Sequence, residues 1–154
     1  MRDDNIFFEG QVMWSMIDAN NHLRHSAYAD FAAQSRINLM RDTEMAAVLE
    51  KAQIGPILFR EELIYWKEVR MNDTIRVAIE LLSCRTDGAR YTMKSSLYRG
   101  DGALAATVTV DGAWLDLKLR KLCALPEEIQ AAFLAVPKSA EFVLQEVPQK
   151  SKEK

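Results

Sequence analysis

The chain has 154 residues, 49% of them hydrophobic and 27% charged, with a formal net charge of −2. That length suits one domain with a core of its own, and the slightly acidic balance, without a basic stripe, argues against nucleic acid as a partner. No stretch reaches the length of a membrane span and the first ten residues lack a signal-like apolar run, so a cytoplasmic protein is expected, with Cys84 and Cys123 as buried thiols of a reducing compartment.

Residues 6–14, IFFEGQVMW, read as a first strand ending in polar punctuation at Ser15. A polar loop follows, with Asp18, Asn20, Asn21, His22 and His25 packed into eight residues. The run from Ser26 to Met40 then predicts a long helix. Ser26 is the expected N-cap, and Tyr28, Phe31, Ala32, Ser35 and Leu39 recur at helical spacing as one stripe. Ala27, Ala29 and Ala33 beside it would let the helix lie close against a sheet. Residues 44–52 predict a second, short helix stopped by Gly55-Pro56.

From Ile57 the period changes to two. Residues 57–69 predict a strand with a bulge near Glu61-Glu62. Residues 74–83 alternate cleanly, with Ile75, Val77, Ile79 and Leu81 on one face. Residues 89–99 and 103–117 complete an antiparallel meander through turns at Thr86-Asp87-Gly88 and Gly100-Asp101-Gly102, with Gly112 as a second expected bulge. Residues 125–136 predict a terminal helix with Pro126 in its first turn and Glu127 and Glu128 near its positive end. Residues 1–147 would form the single domain, and a charged tail from Pro148 is expected to be disordered. This order suggests an α+β fold, a curved antiparallel β-sheet wrapped around one long helix. The last strand, residues 103–117, is expected to leave a bare edge that a second copy would cover.

Several chemistries are missing from the sequence. It has no Gly-x-Ser-x-Gly elbow, no phosphate-cradling glycine loop and no zinc spacing. His22 and His25 lack a third ligand nearby, and neither cysteine lies in the histidine-rich loop. What remains is Asp18, just before a helix start. Unpaired N–H groups there can stabilise a developing oxyanion. A carboxylate beside such donors suits cleavage of a thioester, whose thiolate leaves with little acid help, by direct attack or by activating water. The plainer alternative is an Asx-turn that only braces the loop.

The run V-x-W-x-x-x-D-x-x-N-H-x-x-H-x-x-Y, residues 12–28, resembles the signature of the 4-hydroxybenzoyl-CoA thioesterase-like acyl-CoA thioesterases, which have the hotdog fold. The similarity continues through GPILFREELIYWKEVRMNDTI and VDGAWLDLKLRKLCALPEEI, so it spans residues 7–134. The resemblance implies an acyl-CoA substrate, no metal or redox cofactor (coenzyme A being part of the substrate), and a homodimer or dimer of dimers with its sites at the interface. It assigns Asp18 as nucleophile or general base, the backbone N–H of His25 as oxyanion donor, His22 as the loop histidine and a catalytic candidate, and Asn21 and Tyr28 as substrate-binding residues. Arg120 and Lys121 would hold coenzyme A phosphates. Their alternatives are a loop-bracing His22, a core Tyr28 and a merely solvated basic turn at Arg120-Lys121. Three positions depart from the pattern: Met16 where a first aspartate is common, Asn21 for glycine, and His25 for asparagine. Asn is well suited to the left-handed backbone that glycine would supply. Two rival functions use the same fold. One is a non-catalytic acyl-thioester-binding protein. The other is a dehydratase, for which Asp30 is the one nearby helical carboxylate.

Overall fold

The computed structural model describes residues 5–148. Its elements are β1 (Ile6–Gln11), a 3-10 turn (Trp14–Met16), α1 (Ala27–Asp42), α2 (Met45–Ala52), β2 (Ile54–Tyr65), β3 (Thr74–Arg85), β4 (Arg90–Arg99), β5 (Leu104–Asp116), β6 (Lys121–Cys123), α3 (Glu127–Leu134) and β7 (Lys138–Gln145). The sheet runs β1-β3-β4-β5-β2, with β6 added to β5 and β7 to β3. Every pairing is antiparallel except β3 with β7.

The helix stripe is buried as its spacing requires. Tyr28, Phe31, Ala32, Ser35 and Leu39 all face inward, together with Ala27. Helix α1 lies against β1, β3, β4 and β5. Ala27 and Ala32, both essentially without exposure, are the close-approach points. The polar Ser35 is accommodated because its hydroxyl donates to the Ala32 carbonyl at 2.7 Å. On β3, Ile75, Val77, Ile79 and Leu81 are fully buried, while Glu80 pairs with Lys94 at 3.6 Å on the other face.

Several expectations need correction. The first strand ends at Gln11, because Val12 turns to exchange hydrogen bonds with Asn72 and Asp73 and the chain then coils through the 3-10 turn. Ser26 stands at the N-cap, but its backbone is already right-handed helical, and its hydroxyl accepts from Arg24 Nε instead of capping. Gly55-Pro56 does not stop the second helix. Gln53 does so in the left-handed region at φ 55°, and Gly55 and Pro56 lie inside β2, an outer strand where proline is tolerated.

The bulge of β2 falls between Leu58 and Arg60, earlier than Glu61-Glu62. One extra residue changes which residues face α1: Pro56 and Leu58 before it, Leu63 and Tyr65 after it. Gly112 is not a bulge of β5. It pairs with Tyr91, and a Cβ there would lie 2.4 Å from the tyrosine ring. The sequence reading missed β6 and β7. It also misplaced the open edge: β5 has neighbours on both sides, and β2 is the outermost strand beyond it. Past Pro148, the charged tail lies outside the described residues.

Candidate active site

The loop before α1 closes on itself. The Asp18 N–H donates to the His22 carbonyl at 2.9 Å, and the Asn21 N–H donates to the Asp18 carbonyl at 3.1 Å. Asn21 takes the left-handed conformation at φ 62° that this reversal needs. Ile17 and Leu23 form a short antiparallel bridge across the base of the loop. The loop is then fixed from outside: the Leu23 N–H donates to the Val69 carbonyl at 2.6 Å, and the Arg24 N–H to the Met16 carbonyl at 2.8 Å. Arg24 Nη1 also reaches the Ser15 carbonyl at 2.9 Å.

Asp18 braces its own loop, as the plainer sequence alternative expects. Its Oδ1 accepts from the Asn20 and His22 N–H groups at 2.9 and 3.2 Å, an Asx-turn. Its Oδ2 has no hydrogen-bond partner among the described residues and remains available for chemistry. The side chain lines an open recess with Trp14, Ser15, Ile17, Asn21, Arg70 and Met71.

Where α1 starts, the Tyr65 hydroxyl donates to the His25 carbonyl at 3.0 Å, tying the helix entrance to β2. Among the described residues, the N–H groups of His25 and Ser26 have no backbone acceptor outside the regular elements. Tyr28 packs edge-on against Tyr65 at 5.1 Å and is buried, so it is part of the core. Burial raises its hydroxyl pKa above the ordinary 10.0, with further upward contributions from Tyr65 and from the Asp18 charge. The Asp18 carboxylate is therefore within electrostatic reach of Tyr28 beneath it. His22 is half-buried. Glu68 is held below the ordinary carboxyl range mainly by its own backbone N–H, then by Arg70 and His22, so His22 lies near Glu68.

The structure brings Asp18, Asn21, His22, His25 and Tyr28 to one end of the sheet. It does not bring Arg120 and Lys121 there. Arg120 ends the exposed turn after β5, at φ 55°, and Lys121 opens β6; the Leu117 N–H in that turn donates to the Gln53 carbonyl. Ten residues of β5 separate that turn from the strand end beside Tyr65, roughly 30 Å. Asp30 does not face a histidine. It is exposed and lies 3.9 Å from Arg24, and among the described residues it makes no ion pair with a histidine of the kind a dehydratase would use. Burial pushes the Cys84 thiol up to about 11 and raises Cys123 as well, so neither is set up as a thiolate. Sequence reasoning missed Tyr65, Arg70 and Met71. They come from β2 and the β2–β3 connection, far along the chain, and no local pattern marks them.

Residues 12–133 match the family model of the thioesterase-like superfamily. The chain belongs to the thioesterase-like superfamily. It is thus a member of a family of thioester hydrolases, and its sheet and helix form the hotdog fold. An acyl-CoA thioesterase, YbgC of Haemophilus influenzae, is 25% identical over 135 residues, covering 86% of this chain and 97% of that protein. Among solved structures, SAV2348 of Staphylococcus aureus, determined in complex with CoA, superposes with a TM-score of 0.77 at 19% identity over 88% of this chain and 86% of that one. A DHNA-CoA thioesterase of Staphylococcus aureus superposes with a TM-score of 0.76 at 17% identity, over 84% and 88% respectively. Among the described residues, no helix of this family member is long and apolar enough to cross a membrane.

Proposed function

We propose that this chain hydrolyses acyl-CoA thioesters to a free acid and coenzyme A. The observation that carries the reading is the divided state of Asp18, a residue that lines an open recess: one carboxylate oxygen is fixed by the loop backbone, and the other has no hydrogen-bond partner among the described residues. A carboxylate held in this way is already oriented for attack on the acyl carbon or for taking a proton from water. The His25 N–H, at the positive end of α1, supplies the oxyanion donor. His22 braces the loop through its backbone, and Asn21 provides the turn. The curated acyl-CoA thioesterase relative and the fold it shares support the substrate class.

The working unit in this proposal is at least a homodimer joined along β2. That strand pairs only with β5 among the described residues, and it exposes Leu58, Phe59, Ile64 and Tyr65. Two copies paired antiparallel about a two-fold axis would set the Ile54 end of one β2 beside the Tyr65 end of the other. The turn carrying Arg120 and Lys121 would then approach the other copy's Asp18 recess, which is how these residues come to serve coenzyme A phosphates. Light scattering on a sizing column tests the assembly. A stable, active species at 17.5 kDa would overturn it.

The activity is tested by free-thiol release from a panel of short, medium, long-chain and aromatic acyl-CoAs. Release from at least one class is expected. Tight binding without release from any of them would leave the non-catalytic reading in its place.

A further inference from the structure

A second cavity lies under the C-terminal half of α1. Its volume is about 170 Å³, and its walls are almost wholly apolar: Met40, Pro56, Leu58, Met93, Trp114 and Phe133 among them. One charged group enters this lining, the guanidinium of Arg36. Its Nη1 is buried and has no hydrogen-bond partner among the described residues, and no described ion pair uses Arg36. Glu61 of β2 and Tyr91 are close enough to act on its charge, but burial dominates and holds the guanidinium below the ordinary arginine value. A guanidinium nitrogen buried without a protein partner is costly, and a carboxylate is the ligand that the planar fork matches best.

The size of the cavity narrows the choice. A dry cavity of about 150 Å³ holds a benzene ring. Arg36 also sits about 16 Å along α1 from His25, so within one chain the cavity is separate from the Asp18 recess. We propose that this cavity binds a small apolar carboxylate of about benzoate size, its hydrocarbon part against Met93, Trp114 and Phe133 and its carboxylate on Arg36 Nη1. Such an anion has two sources. It is either a free acid or a carboxylate at the far end of an acyl group. The second source rests on the proposed thioesterase and its β2 pairing, which would set this cavity beside the other copy's Asp18.

Calorimetry on the intact protein, with benzoate and the uncharged, near-isosteric benzamide as probes, tests the site without any turnover. Benzoate is expected to bind at least about tenfold more tightly than benzamide, the order of one charge-assisted contact. Arg36→Met should erase that difference while leaving the fold intact, since it removes a buried charge and keeps the side-chain length. Ala33→Phe, which fills the cavity from α1, should weaken both probes. Asp18→Asn should leave benzoate binding at least as tight as in the parent, so the site stays readable even if no acyl-CoA is hydrolysed. Equal binding of the two probes, unchanged benzoate binding in Arg36→Met, or no binding of either would overturn the proposal.

The source of the anion is read from kcat/KM for adipyl-CoA against hexanoyl-CoA. A preference for adipyl-CoA that Arg36→Met abolishes means that the carboxylate arrives on the acyl group. No preference, with benzoate still bound, means that the ligand is the free acid.

Discussion

At the N-terminal end of α1, four backbone hydrogen bonds and one Asx-turn hold a polar loop around a carboxylate whose second oxygen has no partner among the described residues. Under the C-terminal half, the cavity lining is almost wholly apolar apart from Arg36. Tyr91, Trp114 and Phe133 lie with ring centroids 5.3–5.7 Å apart, Phe133 edge-on to both and Tyr91 tilted against Trp114, and the Trp114 indole N–H donates to the Gly88 carbonyl at 2.8 Å. The first region is specified by backbone geometry, which tolerates changes of side chain so long as the turn survives. The second is specified by shape, where each added or deleted carbon is felt. Side-chain truncation should therefore damage stability at one end and chemistry at the other.

The largest stability effect is expected from Trp114→Ala. It removes the centre of the aromatic cluster and orphans the Gly88 carbonyl, at a cost of about 3–5 kcal/mol. Urea unfolding would show it as a lower midpoint with an unchanged slope. Next is Gly112→Ala, whose added Cβ collides with the Tyr91 ring. Overpacking of this kind costs about 1–3 kcal/mol, and pairing it with Tyr91→Leu should recover much of the loss. If Gly112→Ala were as stable as the parent, the shape argument for this end would fail.

The alkaline limb of stability sharpens the same contrast. Burial pushes the Tyr91 hydroxyl up to about 12 from an ordinary 10.0. The folded chain keeps that proton longer than the unfolded chain, so its contribution is intact below pH 10 and is lost as pH rises toward 12. Cys84, raised from 9.0 to about 11, acts in the same direction from pH 9 upward. Tyr91→Phe should flatten the part of the fall above pH 10, as followed by thermal melts across that range. A smaller effect is expected from Tyr65→Phe at the other end. Losing the bond to the His25 carbonyl costs about 0.5–1.5 kcal/mol at most, and turnover should fall with little change in KM because the oxyanion donor is less firmly held. Smallest is Arg120→Ala with Lys121→Ala, which should raise KM for acyl-CoA and leave kcat nearly unchanged, since phosphate contacts are the same in ground and transition states. A short thioester without the nucleotide should be unaffected.

What could be read in the sequence follows the same division. The α1 stripe and the alternation of β3 are periodic, and periodicity survives folding because one face must be buried. Asp18 was legible because its loop is local: Asp18, Asn20, Asn21 and His22 make their contacts with each other. The bulge at Phe59 was not, since it reflects register against β5 and not any preference of β2 itself. Gly112 was misread for a related reason. Glycine signals a bulge or a close approach alike, and only the opposing Tyr91 decides which. Pro56 was read as a helix stop because a proline inside a strand is ordinarily unfavourable, and the outer position of β2 was not visible from the chain. Arg36 was not legible either, since the cavity it lines is completed by β2, β4, β5 and α3.

The most direct test is steady-state thiol release by Asp18→Asn beside the parent protein, with melting temperature and oligomer size measured on the same samples. The change is nearly isosteric, and the retained amide oxygen can still accept from the Asn20 and His22 N–H groups, so fold and assembly should be unchanged. Turnover is expected to fall by about a hundredfold or more. Turnover within a few-fold of the parent, in a protein of unchanged stability, would contradict the role assigned to this carboxylate.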